Sequence, residues 1–383
     1  MDWKVLHNVR LYFIQHFIQP FVIISIVFPA YLFLYANNPV LVGLLLSVAY
    51  VLGHLSIVAG FLTDYILNTR RYDLILSLLS GLTFTLSSFF FSASITFIFI
   101  TYTVLGVIHS LKGTNHIKVL RGLVNTPSEY RTVWILLNMI RLASAITLLN
   151  ITFFWLGVKY LLLLLGLFML FIHTPLIFFI KYPKGTGKAK LVFSLTFSTI
   201  KKERTVLFSF IDTILGNFIN GILPVFLIFF YQTSSFLLNY TIYYSLSLLY
   251  SGISLFITEK YKKGNILTFV LLFRGLVTAV VLLSLAFIPV NFSIIPITLF
   301  WLLLTLYGSF ISPIIQMRIP KESIASYNGF IATLGSAFNT LGNLTLSYLS
   351  LIVGQKEVVV IASILLISYT LIITYVFKNE FRQ

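Results

Sequence analysis

Gly60-Phe61-Leu62-Thr63-Asp64, followed by Arg70 and Arg71, is the stretch on which the fold turns. It lies between two long apolar runs. A degenerate counterpart, Thr258-Glu259-Lys260-Tyr261-Lys262-Lys263-Gly264, lies between two more in the second half of the chain. The interval from Asp64 to Glu259 is the same as that from Pro29 to Pro224, and Pro127-Ser128-Glu129 is repeated at nearly the same offset by Pro320-Lys321-Glu322. Near-constant offsets imply two parallel repeats related by an axis along a membrane normal.

Composition supplies the membrane. The chain is 58% hydrophobic and only 9% charged, with a mean hydropathy of +0.99, whereas soluble domains carry about 25% charged residues. A hydrocarbon core takes about 20 apolar residues per helix, and only helices or closed barrels satisfy the backbone there. The runs are continuous rather than alternating, which disfavours a barrel. Their breaks predict twelve spans, at roughly 12–36, 40–63, 73–91, 94–116, 132–156, 158–180, 204–231, 238–258, 265–288, 293–316, 323–351 and 357–377.

Charge placement agrees with this count. With the N-terminus inside, all but four of the 26 basic residues fall on the inner side. Lys159 and Lys356 fall outside, while Arg141 and Arg274 fall within spans. This is the positive-inside asymmetry, and it puts both termini in the cytoplasm of a multi-pass plasma-membrane protein. The net charge of +16 is scattered over short loops beside spans, so it anchors and orients the chain rather than marking a nucleic-acid partner. With no cysteine, disulfides and thiol chemistry are excluded. The first apolar run is longer than a signal-peptide core and is read as a span.

Three units follow: a six-helix bundle over residues 1–180, a linker over 181–203 and a second six-helix bundle over 204–383. The linker opens with Lys181-Tyr182-Pro183-Lys184-Gly185-Thr186-Gly187-Lys188, whose Pro, Gly and Lys oppose packing, and its apolar middle is expected along the membrane surface. The loop from Gly60 to Asp64, with its arginine pair between spans two and three, resembles the signature loop of the major facilitator superfamily. The usual basic residue and glycine after the aspartate are replaced by Tyr65 and Leu67, and the arginines are displaced by about two residues. The resemblance implies an all-α membrane fold of twelve helices in two parallel repeats. It also implies a gate in which Asp64, with Gly60, Arg70, Arg71 and the degenerate Glu259, latches the two bundles.

Charges within spans cost about 2.5 to 3.5 kcal/mol each and therefore have a partner or a task. Three qualify: Asp212, Arg141 and Arg274 lie about 12 to 16 Å in at 1.5 Å per residue. Trp134, Asn138 and Arg141 share one helix face, where a guanidinium suits a carboxylate or phosphate. Arg274 is expected to pair with Asp212, and Asp212 is also a candidate proton carrier. Gln19, Asn217, Asn220 and Trp301, on spans that the resemblance places around a central cavity, join Arg141 and Asn138 as substrate-binding candidates. His54, His109 and His116 supply no metal-ligand spacing, and Gly185-Thr186-Gly187-Lys188 lacks the rest of a phosphate loop.

The function expected is secondary transport of a small solute by alternating access, coupled to a proton. The solute is read as an anionic or zwitterionic organic molecule, and the chain as a non-enzymatic monomer in contact with lipid and without cofactor or metal. Two alternatives stand beside it. One is drug or lipophile efflux on the same fold; the other, of a different class, is a lipid-linked sugar flippase or membrane-embedded transferase.

Overall fold

Polar caps and prolines decide where the helices start. A computed structural model of the chain describes residues 3–36, 39–66, 68–91, 94–124, 126–223 and 270–377, with scattered residues between 225 and 253. Glu259, Pro224 and most of the expected eighth span lie outside the described residues. The first helix, α1 (Trp3–His16), breaks before Pro20 opens α2 (Pro20–Ala36), so the first apolar run is two helices rather than one. α3 (Pro39–Gly53) and α4 (Leu55–Tyr65) likewise divide the second run at His54.

The next three helices carry side-chain caps. Asn68 accepts from Arg71 N at 3.1 Å to start α5 (Thr69–Phe89), and Ser94 accepts from Phe97 N at 3.2 Å to start α6 (Ile95–Leu123). Thr126 accepts from Glu129 N at 3.2 Å ahead of Pro127, the first residue of α7 (Pro127–Ile151). Each cap satisfies an amide the helix leaves free, and proline at the first position has no amide to lose.

α8 (Gly157–Phe168) follows a π turn and runs into another, Met169–His173. The linker contains α9 (Ala189–Lys202), and the second half contributes α10 (Arg204–Asn220), a π segment Val270–Val277 leading into α11 (Thr278–Ser284), α12 (Ile294–Arg318), α13 (Ile324–Ile352) and α14 (Gln355–Phe377).

Among the described residues, six helices are long and apolar enough to cross a membrane: Thr69–Phe89, Ile95–Leu123, Thr132–Ile151, Gly157–Leu176, Val290–Gly308 and Gln355–Phe377. Four shorter apolar stretches, Ile23–Leu32, Leu55–Tyr65, Val206–Asn220 and Arg274–Ser284, add to them. The architecture is all-helical among the described residues.

α13 joins the halves, packing on α3, α4 and α6 from the first and on α10 and α14 from the second. Missing side chains allow this. A Cβ on Gly60 would sit 2.3 Å from Ala325 O, and one on Gly329 2.1 Å from Ser56 O. α10 ends against α13 in the same way, with Cβ positions on Gly221 and Gly342 falling 2.4 Å from Asn343 N and 2.0 Å from Phe218 O. Such crossings bring backbones together where apolar side chains gain nothing by leaving lipid.

Candidate functional site

At the linker end of the molecule, α4, α6 and α13 converge on Asp64. Its carboxylate is fully buried. Oδ2 accepts from Ser326 N at 2.6 Å and from Ser326 Oγ at 2.8 Å, while Oδ1 faces Lys118 Nζ at 3.1 Å. Ser326 lies in the first turn of α13, so the carboxylate also meets the positive end of that helix. Gly60, one turn earlier on α4, supplies the close approach.

Arg70 bonds the backbone next to the linker. Arg70 donates to Ile180 O at 3.1 Å, its neighbour Thr69 donates to Pro183 O at 2.6 Å, and both residues therefore hold the start of the linker. Gly185, Thr186 and Gly187 then donate their amides to Ile66 O, Asp64 O and Tyr65 O at 3.1, 2.7 and 3.0 Å. The linker is thus strapped to the backbone of the Asp64 loop. Arg71 is exposed at the start of α5, and neither arginine touches Asp64 in a described contact.

A second cross-half contact lies at the His54 break. Thr333 of α13 donates to His54 O at 3.1 Å and accepts from Ile57 N at 3.0 Å. One hydroxyl thereby bonds both backbone groups at the interruption, which also bond each other at 3.4 Å.

Deeper in the second half, a cavity of about 310 Å3 is lined by Asp212, Asn217, Asn220, Arg274, Trp301 and Tyr307, among others. α10 contributes Asp212, Gly216 and Asn220 at i, i+4 and i+8, hence on one face. Arg274 comes from the π segment and Trp301 from α12. Arg274 Nε lies 3.7 Å from Asp212 Oδ1, which also accepts from the Tyr369 hydroxyl, and the guanidinium carbon stands 5.2 Å from the Tyr307 ring centroid. The expected Arg274 and Asp212 pair is present. Asn220 Oδ1 and Trp301 Nε1 are buried without a hydrogen-bond partner, leaving one acceptor and one donor for a solute. Asn217 turns its amide nitrogen back to Thr213 O at 2.7 Å.

The first-half candidates are not brought to this cavity. Gln19 lines a separate space of about 30 Å3 with His16, His109, Lys112, His116 and His173, whereas Asn138 and Arg141 line neither space. The interior also holds charges beyond the three expected ones. Lys112 Nζ lies 3.7 Å from the buried Asp73, donates to Ser77 Oγ at 2.7 Å and meets His173 Nε2 at 3.1 Å. Tyr182, at the start of the linker, donates to Asp73 Oδ2 and accepts from Gln15 Nε2 at 3.3 Å. Burial and the adjacent Asp73 carboxylate push the Tyr182 phenol well up, so it remains the donor.

Sequence reasoning placed Lys112 with the inner loops and passed over Asp73, because a charge near the end of an apolar run looks interfacial until its neighbours in space are known. Ser326 and Thr333 carried no signal at all. Among the described residues no group of three metal-ligating side chains could hold a metal ion.

No protein-family model matches the chain, and no curated protein matches it by sequence. Solved structures do match, over nearly the full length. The human organic anion transporter MFSD10 (TETRAN) superposes with a TM-score of 0.71 at 14% identity, covering 97% of this chain and 100% of that one. The nucleoside transporter NupG gives 0.65 at 14% identity, with 100% of both chains covered. The proton:xylose symporter XylE bound to 6-bromo-6-deoxy-D-glucose gives 0.68 at 13% identity, covering 97% and 95%. The chain is a multi-pass integral membrane protein with the fold of major facilitator superfamily transporters.

Proposed function

We propose that the chain is a secondary transporter that moves a small organic anion or zwitterion by alternating access. Residues 1–180 and 204–383 act as two six-helix bundles, twelve spans in all, with both termini and the 181–203 linker in the cytoplasm of a plasma-membrane protein. The observation that carries this reading is the latch between α4 and α13. Asp64 holds the first turn of α13 through two bonds from Ser326, beside a glycine crossing that joins the halves at the linker end. Separation of these contacts would open that end, and a solute would drive the exchange through its different affinities for the two states.

Charge bookkeeping supports the anionic solute. Lys112, Lys118 and Arg274 each face a carboxylate, Asp73, Asp64 and Asp212 respectively. Arg121, on α6, faces no carboxylate among the described residues but donates to Val124 O at 3.4 Å; Arg141, on α7, also faces none there, and its Nε is buried without a hydrogen-bond partner. A solute carboxylate or phosphate would complete it. The organic anion transporter named above shares the fold, which is consistent with such cargo.

The 310 Å3 cavity, which Arg141 does not line, offers Asn220 and Trp301 as a second polar station for the solute. Asp212 pairs with Arg274 there and, as the acid of that pair, is the candidate proton carrier. A neutral hydroxylated solute is the second reading, favoured by the uncharged orphan groups of Asn220 and Trp301.

The test is a screen of organic anions, zwitterions, sugars and nucleosides by thermal stabilisation of purified protein, followed by liposome uptake of each stabilising solute. Saturable counterflow is expected. Stabilising solutes that never cross the bilayer would defeat the transporter reading.

A further inference from the structure

Beside the linker helix runs an apolar groove that neither the Asp64 contacts nor the 310 Å3 cavity uses. Two helices form its walls. α4 contributes Val58, Phe61, Leu62 and Tyr65, at i, i+3, i+4 and i+7 and hence on one face, while α9 contributes Ala189, Lys190, Val192, Phe193 and Ser194. The opposite face of α4, with Ser56, Gly60, Thr63 and Asp64, is the one buried in the protein. The groove measures about 650 Å3, within the range of about 300–1,000 Å3 usual for ligand sites. Phe61 and Phe193 stack across it at 5.6 Å. Val58, Tyr65 and Phe193 are 49%, 44% and 56% exposed, so it opens outward.

Along its length the groove changes character. Gly187 donates its amide to Tyr65 O at 3.0 Å, which sets Lys188, Ala189 and Lys190 beside the last residue of α4. This end is positive. Lys190 lines it, Lys188 immediately precedes α9, and the helix begins there without a side-chain cap, so its positive end adds to the two ammonium groups. No carboxylate lines the groove among the described residues, and Asp64 turns its own to Ser326 and Lys118 on the other face of α4. The whole linker stretch 181–202 carries six lysines and no acid. Farther in, Phe61 and Val58 lie about 6 and 10 Å from Tyr65 along α4 at 1.5 Å per residue, and their side chains are hydrocarbon. Tyr65 stands between the two regimes, with an apolar ring and a polar tip of the kind found at membrane interfaces.

An occupant that matches this gradient has a negatively charged head and an apolar tail, and lies at the face of the membrane. We propose that the groove between α4 and α9 holds one anionic glycerophospholipid from the leaflet on the linker side, its head at Lys188 and Lys190 and one acyl chain along Phe193, Phe61 and Val58. Two features separate this from general contact with lipid. An apolar belt is covered by any lipid, whereas two lysines at the mouth favour a net negative head by about fivefold each. The lipid also touches two elements at once, tying the linker helix to α4 next to the strap formed by residues 185–187. The inference needs the membrane fold alone and is independent of the transported solute and its coupling.

The experiment titrates the purified full chain, in a neutral detergent, with phosphatidylglycerol or with phosphatidylcholine of the same acyl chains. Unfolding temperature reports binding, and native mass spectrometry counts the lipids retained. One phosphatidylglycerol is expected per chain, bound at least tenfold more tightly than phosphatidylcholine. Lys188→Gln combined with Lys190→Gln is expected to weaken phosphatidylglycerol about 25-fold and to make the two lipids alike, at about fivefold per lysine. Val58→Trp fills the deep end and is expected to lose the retained lipid with both lysines in place. Lys202→Gln, roughly 18 Å farther along α9, lies beyond the Debye length of about 8 Å at physiological salt and is expected to bind as wild type.

Equal affinity of the wild-type protein for the two lipids overturns the inference. So does selectivity that survives in the double lysine variant, retention that survives Val58→Trp, or a loss just as large in Lys202→Gln, which would spread the charge effect over the linker. Inorganic phosphate that stabilises as far as phosphatidylglycerol would reduce the groove to a plain anion site, and diacylglycerol that does so would remove the headgroup preference; either result overturns it too. Should a variant not fold, the wild-type comparison of the two lipids still decides.

Discussion

Asp64 shows how much a single carboxylate carries when every neighbour is chosen by the fold. It accepts two bonds from Ser326 and answers the buried Lys118 charge. Asp64→Asn retains a similar shape and removes the charge, leaving Lys118 buried and uncompensated, a loss of about 3–5 kcal/mol when one member of a buried pair is deleted. The expected outcome is a lowered unfolding temperature together with transport reduced at least tenfold in liposomes; unaltered flux would remove the latch. Gly216 offers a complementary test. A Cβ there would lie 2.0 Å from Arg274 Nη2, whereas one on Gly113 would meet nothing within 4 Å. Gly216→Ala is expected to push the guanidinium off Asp212, to lower stability by about 1–3 kcal/mol, the usual size of an overpacking effect, and to weaken solute binding. Gly113→Ala is expected to bind as wild type in the same thermal-shift titration.

At the scale of elements, the interruptions matter more than the helices. At the His54 break Ile57 N and His54 O meet each other at 3.4 Å, and Thr333 of α13 bonds both from the other half at 3.0 and 3.1 Å. Thr333→Val keeps the volume and deletes the hydroxyl. The half-buried Ile57 amide then keeps only its 3.4 Å bond to His54 O, and losing a hydrogen bond costs about 0.5–1.5 kcal/mol, so that amide is expected to exchange with solvent faster than in the wild type, with a small fall in unfolding temperature. Unchanged exchange at Ile57 would show that the break does not depend on α13. The linker is an element too: residues 185–187 donate to the Asp64 loop before α9 continues across α4 and α13. It is therefore strapped to the Asp64 loop rather than left as a slack tether.

At the scale of the whole molecule, the proposed alternating access would separate and re-form the contacts of α13 with α3 and α4. The chain contains no cysteine, so an introduced pair reports without background. Ile57→Cys with Thr333→Cys places two thiols across the His54 break, where the native amide and hydroxyl are 3.0 Å apart. Cross-linking them is expected to abolish flux, and reduction to restore it. Undiminished flux with the cross-link intact would mean that this seam does not open.

The sequence by itself determined the solvent, the helical class and the signature loop, because apolar run length, charge placement and a local motif are one-dimensional quantities. It also paired Arg274 with Asp212, since two opposite charges deep in apolar runs have little choice of partner. It did not announce that Arg70 and Thr69 bond the backbone at Ile180 and Pro183, nor that Asp73 meets Lys112 and Lys112 meets His173, from three different helices. Only tertiary structure decided those contacts. A buried charge is stabilised by whatever lies within a few ångströms, and in a helical bundle those neighbours come from remote positions in the chain.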